Sequence, residues 1–488
     1  MLMKRFFVNA VKEYLPRVCD ELLAFRLRSK GAVLVEGPKW CGKTTTCVQQ
    51  ARSVLYMQAP ETREQNMRMA ELSPQLLLDG DAPRLIDEWQ DAPSLWDAIR
   101  FEVDRRDKFG QFILTGSSVP VDVRKMAHSG TGRIARLRMR PMSLLESRDS
   151  SGSVSLKGMF AGERPTARAQ VGTIEDLAFL VCRGGWPKAV GQDRNVALQQ
   201  ALDYVDAIID VDISRVDGVN RSEASARALL RSYARLSSSQ GALESVRKDM
   251  DSAAALGESA FFGYIEALRR LFVIEDLEAW SPNLRSKTAI RTSPTRHFVD
   301  PSIAAAVLGA SPADLVADLN TFGLLFESMC IRDLRVYASA MDGSVAHYRD
   351  KSGLEADAVV HLRDGSHGLI EVKLGGESAI AQGAQSLKTL ADKVDQKRMG
   401  APAFLMVLVG LGDFSYCRED GVMVVPVRAL GVWRRQPDHA CRVLGVNHGC
   451  HQWDQISGKG DRHDQEIDRT AYLRDIESKE EALKQLYR

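Results

Sequence analysis

Short, largely apolar runs recur through the first third of the chain, at residues 32–35 (AVLV), 54–57 (VLYM), 84–86 (RLI), 112–114 (FIL) and 134–139 (IARLRM). Between them, apolar positions repeat at helical spacing. Runs this short predict buried strands in a sheet covered on both faces, and their alternation with helices predicts parallel pairing through crossovers. The segment 149–172 (DSSGSVSLKGMFAGERPTARAQVG) is rich in Ser, Gly, Pro and Arg and reads as a loop or long insertion. Residues 174–213 read as helical, interrupted at Gly184-Gly185-Trp186-Pro187, with Trp186 as a packing anchor. Helical patterns continue from 221 to 310. The one at 259–271 precedes a strand-like stretch at 272–280 and a basic turn with Arg285, Lys287, Arg291 and Arg296, the order expected of a winged helix. A second α/β pattern follows, with a helix at 323–338, strands at 355–362 and 368–373, a helix at 379–394 and a strand at 403–409.

The expected fold class is therefore α/β, divided into an N-terminal helix (1–30), a first α/β core (31–148), a loop with a helical lid (149–220), a winged-helix-like module (221–312), a second α/β domain (313–430) and a polar tail (431–488). A length of 488 residues agrees with several domains, since single cores stop growing well before that size. The apolar fraction of 44% and charged fraction of 26% are those of a globular protein. A formal net charge of +1 points to no nucleic-acid or acidic partner, although a balanced total can conceal local asymmetry. No apolar run approaches the roughly 18 residues of a membrane span, so no membrane partner is expected. The charged start, MLMKRFFVNAVKEYLPRV, reads as an amphipathic helix rather than a signal peptide. Eight cysteines, scattered and without a CxxC pair, predict reduced thiols and a cytoplasmic setting. The Cys and His residues near 439–451 lack paired metal-ligand spacing and read as part of the polar tail.

The strongest chemical signal is GPKWCGKT, comprising Gly37, Pro38, Lys39, Trp40, Cys41, Gly42, Lys43 and Thr44, with Thr45 opening the helix that follows. An apolar strand precedes it, which is the context a phosphate-binding loop requires. Gly37 turns the chain out of the strand, and Gly42 lets backbone N–H groups approach phosphate oxygens. Lys43 supplies a positive charge for the β- and γ-phosphates, and the Thr44 hydroxyl can ligate Mg²⁺. The dipole of the helix adds a partial positive charge at its start. ATP and Mg²⁺ are thus the expected cofactors.

Asp87 and Glu88 end the strand RLIDE, some 40 residues later. Asp87 is placed to hold Mg²⁺, and Glu88 to orient or deprotonate the attacking water. FILTGSS ends in Thr115 and Ser117, candidate sensors of the γ-phosphate. Arg133, before the fifth run, is a candidate arginine finger acting on a neighbour's nucleotide, with Asp104-Arg105-Arg106 as a weaker alternative. A finger of this kind implies a homo-oligomer. The arginines at 133, 136, 138 and 140 either face phosphate or form a solvated strand edge.

In the second α/β region, Asp357 precedes a strand ending in Glu371-Val372-Lys373. Residues i and i+2 of a strand share a face, so Glu371 and Lys373 lie together. Carboxylates from adjacent strands can bind Mg²⁺, and a nearby lysine can activate water. Glu327 on the preceding helix is a further candidate metal ligand, and Gln382 and Gln385 on the next helix are candidate DNA contacts. Acid, strand, E-x-K and helix in this order resemble the PD-(D/E)xK nucleases.

Taken together, residues from about 15 to 430 resemble a large family of bacterial and archaeal AAA-type ATPases. Its members join an N-terminal AAA+-like core to a C-terminal domain of unknown function with a restriction-endonuclease-like fold. The resemblance rests on GPKWCGKT, LIDEWQ, FILTGSS, GRIARLRMRPMSLLE, CRGGWP, FVDPSIAAAVLG, EADAVVHL and GLIEVKLG. It implies that the phosphate loop, Asp87, Glu88, Thr115 and Ser117 serve nucleotide, and that Arg133 is the finger. Trp40 and Cys41 depart from the family pattern, and the tail beyond 432 has no counterpart. The expected function is ATP hydrolysis whose state controls a DNA-binding or nuclease domain. A nucleotide-gated binding module with an inactive nuclease-like domain is the alternative, and an ATPase acting on protein partners a third.

Overall fold

The five apolar runs do form strands: β1 (Ala32–Glu36), β2 (Ser53–Tyr56), β3 (Arg84–Asp87), β4 (Phe112–Gly116) and β5 (Ile134–Arg138). The computed structural model describes residues 14–119, 130–250, 256–281, 292–394 and 399–433. All five strands pair in parallel, in the order β2-β3-β4-β1-β5. Alternation along each strand serves two cores. Ala32, Leu34, Ile86, Phe112 and Leu114 pack with Trp96 and Ile99 of the helix Ser94–Arg106. Val33, Val35, Leu85 and Ile113 pack on the opposite face with Leu23 and Leu27 of the helix Cys19–Leu27 and Cys47 of the helix Lys43–Val48. Burial on both faces is why the central strands β1, β3 and β4 lack an alternating polar position, whereas the edge strands β2 and β5 are partly exposed. Because β4 lies between β3 and β1 in a parallel sheet, the carboxyl ends of β1, β3 and β4 open side by side.

The segment 149–172 departs from the expectation of a loop. It contains β6 (Val154–Ser155), a helix (Leu156–Phe160) and β7 (Ala167–Arg168), whose backbone partners lie far along the chain. Two-residue strands carry no periodicity, and the serines that suggested a loop instead satisfy distant carbonyls: Ser150 Oγ donates to Leu430 O at 2.7 Å and Ser155 Oγ to Val432 O at 3.2 Å. The next helices, in the segment expected to form a lid, are Ile174–Arg183 and Arg194–Ala207, the latter continuing through a π-turn at Ile208–Asp212 into Ile213–Arg215. Trp186 in the turn between them is buried, stacks on Tyr204 at 4.2 Å and donates to Ser302 Oγ at 2.9 Å.

Three helices follow, Glu223–Arg235, Leu243–Met250 and Glu258–Arg270, and then antiparallel bridges Ile274↔Phe298 and Leu277↔Thr295. The expected strand at 272–280 is thus reduced to single bridges. Arg285, Lys287 and Arg291 lie outside the described residues. Arg296, the last residue of the expected basic turn, is buried, with its guanidinium held by Asp276 at 2.6 Å and by Gly241 O at 2.8 Å.

The C-terminal region opens with a helix at Leu319–Ser339, followed by β8 (Ser344–Arg349), β9 (Glu355–His361), β10 (His367–Lys373), a helix (Glu377–Lys393), β11 (Phe404–Val409), β12 (Phe414–Cys417), β13 (Met423–Pro426) and β14 (Leu430–Gly431). A seven-stranded mixed sheet runs β7-β12-β13-β11-β10-β9-β8. Strand β8, absent from the sequence-based reading, is a half-exposed edge without a continuous apolar run. At one end the edge strand β7 is only two residues long, and at the other β8 is covered where Trp280 N donates to His347 O at 2.6 Å and His347 N to Glu278 O at 2.9 Å. One hydrophobic core runs from the lid (Leu177, Trp186) through the middle helices (Tyr233, Phe261) into the C-terminal sheet (Phe326, Ile370, Met406). The cysteines among the described residues are free thiols, and no helix among them is long and apolar enough to cross a membrane.

Candidate functional site

The turn out of β1 is shaped by close approach. A Cβ on Gly37 would sit 2.0 Å from the carbonyl oxygen of Met139, so only glycine fits. Gly42 has φ +97°, in the left-handed region, and caps the helix Lys43–Val48. Lys43 is buried, and its Nζ donates to Gly37 O at 3.0 Å and Pro38 O at 2.8 Å, so the ammonium sits within the concavity of its own loop. Lys39 leaves the loop to pair with Asp212 of the lid at 2.5 Å, and Trp40 meets Tyr204 edge-on at 5.5 Å. Thr45 is exposed on the first helical turn, whereas Thr46 is buried and shares its hydroxyl with that of Tyr14 at 3.1 Å. Cys41 is buried beneath the loop.

Thr44 Oγ1 and Thr115 Oγ1 both donate to Asp87 Oδ1, each at 2.7 Å. Thr115 Oγ1 also accepts from the backbone N–H of Glu88 at 3.2 Å. Glu88 adopts left-handed backbone angles (φ +57°), turning its carboxylate toward β4, where Ser117 Oγ donates to Glu88 Oε2 at 2.9 Å and Gln90 Nε2 binds the same oxygen. Beside this cluster lies a cleft of about 270 Å³ lined by Lys39, Glu88, Ser117, Asp212, Arg215 and Leu271. The oxygens of Thr44 and Asp87 fit a hard cation such as Mg²⁺, which typically takes one or two protein ligands alongside phosphate and water. Sequence reasoning missed Asp212 and Arg215, which line the cleft from the π-turn and short helix after Arg194–Ala207, where there is no local motif.

Arg133 is not part of this cluster. It precedes β5 at the opposite end of the sheet, about 15 Å away by strand rise, and pairs with Asp104 at 2.9 Å. The alternatives Arg105 and Arg106 both bind Glu102, at 2.7 and 2.9 Å. Arg136 and Arg138 reach Glu36 at 3.1 and 3.6 Å, and Arg140 reaches Glu275 at 2.6 Å. The arginine strand is therefore tied up in ion pairs.

The C-terminal residues also come together. Glu371 and Lys373 share a face of β10, with Lys373 Nζ 2.6 Å from Glu371 Oε2 and 3.7 Å from Asp357 Oδ2, while Asp357 Oδ2 accepts from Val372 N at 2.7 Å. Burial and then the charge of Asp357 push the Glu327 and Glu371 carboxyls up, and burial pushes up that of Asp357. Gly383 lets the helix Glu377–Lys393 approach, its Cβ position lying 3.3 Å from Glu371 Cβ and 3.5 Å from Lys373 Cε. Glu327, Asp357 and Glu371 are the carboxylates expected to hold a metal ion here. Lys373 stands between two of the acids, and among the described residues no three acid, histidine or cysteine side chains are arranged to hold a metal ion. Gln382 and Gln385 are exposed on the same helix.

Residues 29–147 match the AAA domain family, residues 174–314 a domain of unknown function (DUF8612) and residues 322–430 a domain of unknown function (DUF4143). By this match the N-terminal core is AAA-like. No curated protein matches the chain. Among solved structures, the chain is similar to the Walker-type ATPase PABY2304 of Pyrococcus abyssi, at 14% identity over 59% of this chain and 94% of that one (TM-score 0.38). It is also similar to a signal transduction ATPase with a tetratricopeptide repeat sensor, PH0952 of Pyrococcus horikoshii, at 12% identity over 68% and 48% (TM-score 0.20). A third likeness is to the Hef helicase domain of Pyrococcus furiosus, at 12% identity over 82% and 90% (TM-score 0.17).

Proposed function

We propose that this AAA-type chain binds Mg·ATP at residues 37–44, hydrolyses it, and uses the nucleotide state to control a DNA-binding C-terminal domain. The observation that carries the reading is the 2.7 Å hydrogen bond from Thr44 to Asp87, which joins the end of the phosphate loop to the acid strand at one point. Loop N–H groups and Lys43, released from the carbonyls of Gly37 and Pro38, would take the β- and γ-phosphates. Thr44 and Asp87 would hold Mg²⁺, which neutralises charge on the phosphates when bound. Glu88, oriented by Ser117 and Gln90, would take the proton of the attacking water. Thr115 touches both Asp87 and the Glu88 backbone, a position suited to registering loss of the γ-phosphate. Arg133 is too far from its own loop and would act only from a second copy.

Calorimetry and phosphate-release assays on wild type, Lys43→Ala and Glu88→Gln test the proposal. We expect Lys43→Ala to lose affinity, and Glu88→Gln to bind normally while turnover falls by roughly 10²–10⁴-fold. Wild type without Mg·ATP affinity would overturn it. DNA affinity should depend on nucleotide and fall steeply with salt, because phosphate contacts release counterions. The ion pairs of Lys373 with Glu371 and Asp357 favour a second reading of the C-terminal domain, in which it binds DNA without cutting. Mg²⁺-dependent cleavage of plasmid DNA, lost in Glu371→Ala, would decide for a nuclease.

A further inference from the structure

Beneath the phosphate loop lies a buried arginine that belongs to none of the sequence motifs. Arg17 belongs to the segment before the helix Cys19–Leu27 and is 6% exposed. All of its guanidinium nitrogens are engaged: Nη1 donates to Cys41 O at 2.7 Å, Nη2 to Arg140 O at 2.8 Å and Nε to Glu146 Oε1 at 3.0 Å. Its acid partner is fixed in turn, since Glu146 Oε1 accepts from Val18 N at 2.7 Å and Oε2 from Ser143 N at 2.7 Å and Ser143 Oγ at 3.0 Å.

The contact with Cys41 bears on nucleotide binding through the rigidity of the peptide plane. In a trans peptide the carbonyl of one residue and the N–H of the next point in opposite directions. Drawing the Cys41 carbonyl down onto Arg17 therefore turns the Gly42 N–H up, away from the guanidinium. Gly42 itself is close by, with its Cβ position 3.5 Å from Arg17 Nη1. The left-handed Gly42 can adopt more than one orientation at little cost, so an external hold on this peptide has something to decide. Because Arg17 is paired with Glu146, it adds little net charge under the loop. Its contribution is geometric.

We propose that Arg17 is a positioning residue of the phosphate loop, fixing the Cys41–Gly42 peptide so that its N–H faces the nucleotide phosphates. The inference rests on the ATP-binding reading above. Lysine at this position keeps the charge and loses the three-pointed fork, since Lys and Arg differ in donor geometry rather than sign. The test measures Mg·ATP affinity by calorimetry, with kcat and KM, in Arg17→Lys, Arg17→Ala and Glu146→Gln, alongside thermal melting without nucleotide. We expect Arg17→Lys to melt as one transition and to bind Mg·ATP about tenfold or more weakly, the scale of one lost charge-assisted hydrogen bond. Millimolar guanidinium should restore part of the affinity of Arg17→Ala and leave wild type unaffected, a rescue that general destabilisation would not give. Should Arg17→Ala fail to fold, Arg17→Lys and Glu146→Gln carry the test. Folded variants binding within about twofold of wild type would overturn the inference while leaving the ATP-binding reading intact. Absence of binding in wild type would remove that reading first.

Discussion

At the residue scale, Gly37 shows how a loop motif becomes a steric requirement. A methyl group there would meet the Met139 carbonyl oxygen at 2.0 Å, and backbone does not yield as a side-chain end does. We expect Gly37→Ala to displace either the loop or the strand end after β5, weakening Mg·ATP affinity by about 10²-fold or more while the protein still melts cooperatively. Wild-type affinity in this variant, measured by calorimetry, would show that the loop is set elsewhere. Positions 37, 42, 43, 44, 87, 88 and 115 were legible because loop chemistry is local, or ends a recognisable strand. Arg17, Asp212 and Arg215 were not, because each acts across more than 20 residues from a segment with no pattern of its own. Arg296 reads in the sequence only as part of a basic turn, and its burial against Asp276 at 2.6 Å leaves no local mark.

Among the elements, the junction between the middle module and β8 is held by buried histidines. His297 Nδ1 shares a hydrogen bond with Ser328 Oγ at 2.9 Å, Gln240 Nε2 donates to His347 Nδ1 at 3.2 Å, and His367 lies against Trp280 at 5.3 Å. Burial, with the Arg335 charge second, holds His297 well below the ordinary imidazole range. Burial, with Arg349 adding to it, pushes His347 down to about 4, and burial also lowers His367. For a lowered imidazole the sign is fixed. Above pH 6.5 both folded and unfolded states are neutral and the junction has its full stability, whereas below it the unfolded state gains protons that the folded state refuses. We expect the melting temperature to fall between pH 7 and 4, with His347 contributing on the order of 2–3 kcal/mol. The variant His347→Gln should flatten that slope, and an unchanged slope would show that His347 is not among the titrating groups. None of these elements was legible in full. The bridges at 274–298 and strands β6 and β7 are short with remote partners, and β8, though six residues long and paired with the next strand, is half-exposed and has no apolar run, so no local periodicity marks them.

Across the whole molecule, ion pairs run without a break from the phosphate loop to the C-terminal domain. Glu36, immediately before Gly37, pairs with Arg138 at 3.6 Å, and Arg138 reaches Glu275 at 4.0 Å. Glu275 is also gripped by Arg140 at 2.6 Å and Arg335 at 3.8 Å, and Arg335 lies on the helix Leu319–Ser339 that carries Glu327. Burial pushes the Glu275 carboxyl up, but Arg140, Arg335 and Arg138 together hold it well below the usual carboxylate range. A chain of contacts alone does not establish coupling, which is a free energy between two sites and is reciprocal. If ATP changes DNA affinity by some factor, DNA must change ATP affinity by the same factor, so the two titrations check one another. Glu275→Gln keeps the shape of the central acid and removes its charge, leaving Arg138, Arg140 and Arg335 to repel one another. On the proposed function, we expect this variant to turn over ATP within about twofold of wild type while the coupling factor falls toward unity in both titrations. A factor that survives in Glu275→Gln would place the coupling elsewhere, with the buried joint where Asp300 accepts from Gly185 N at 2.9 Å and from Arg332 at 2.8 Å as the next contact to break.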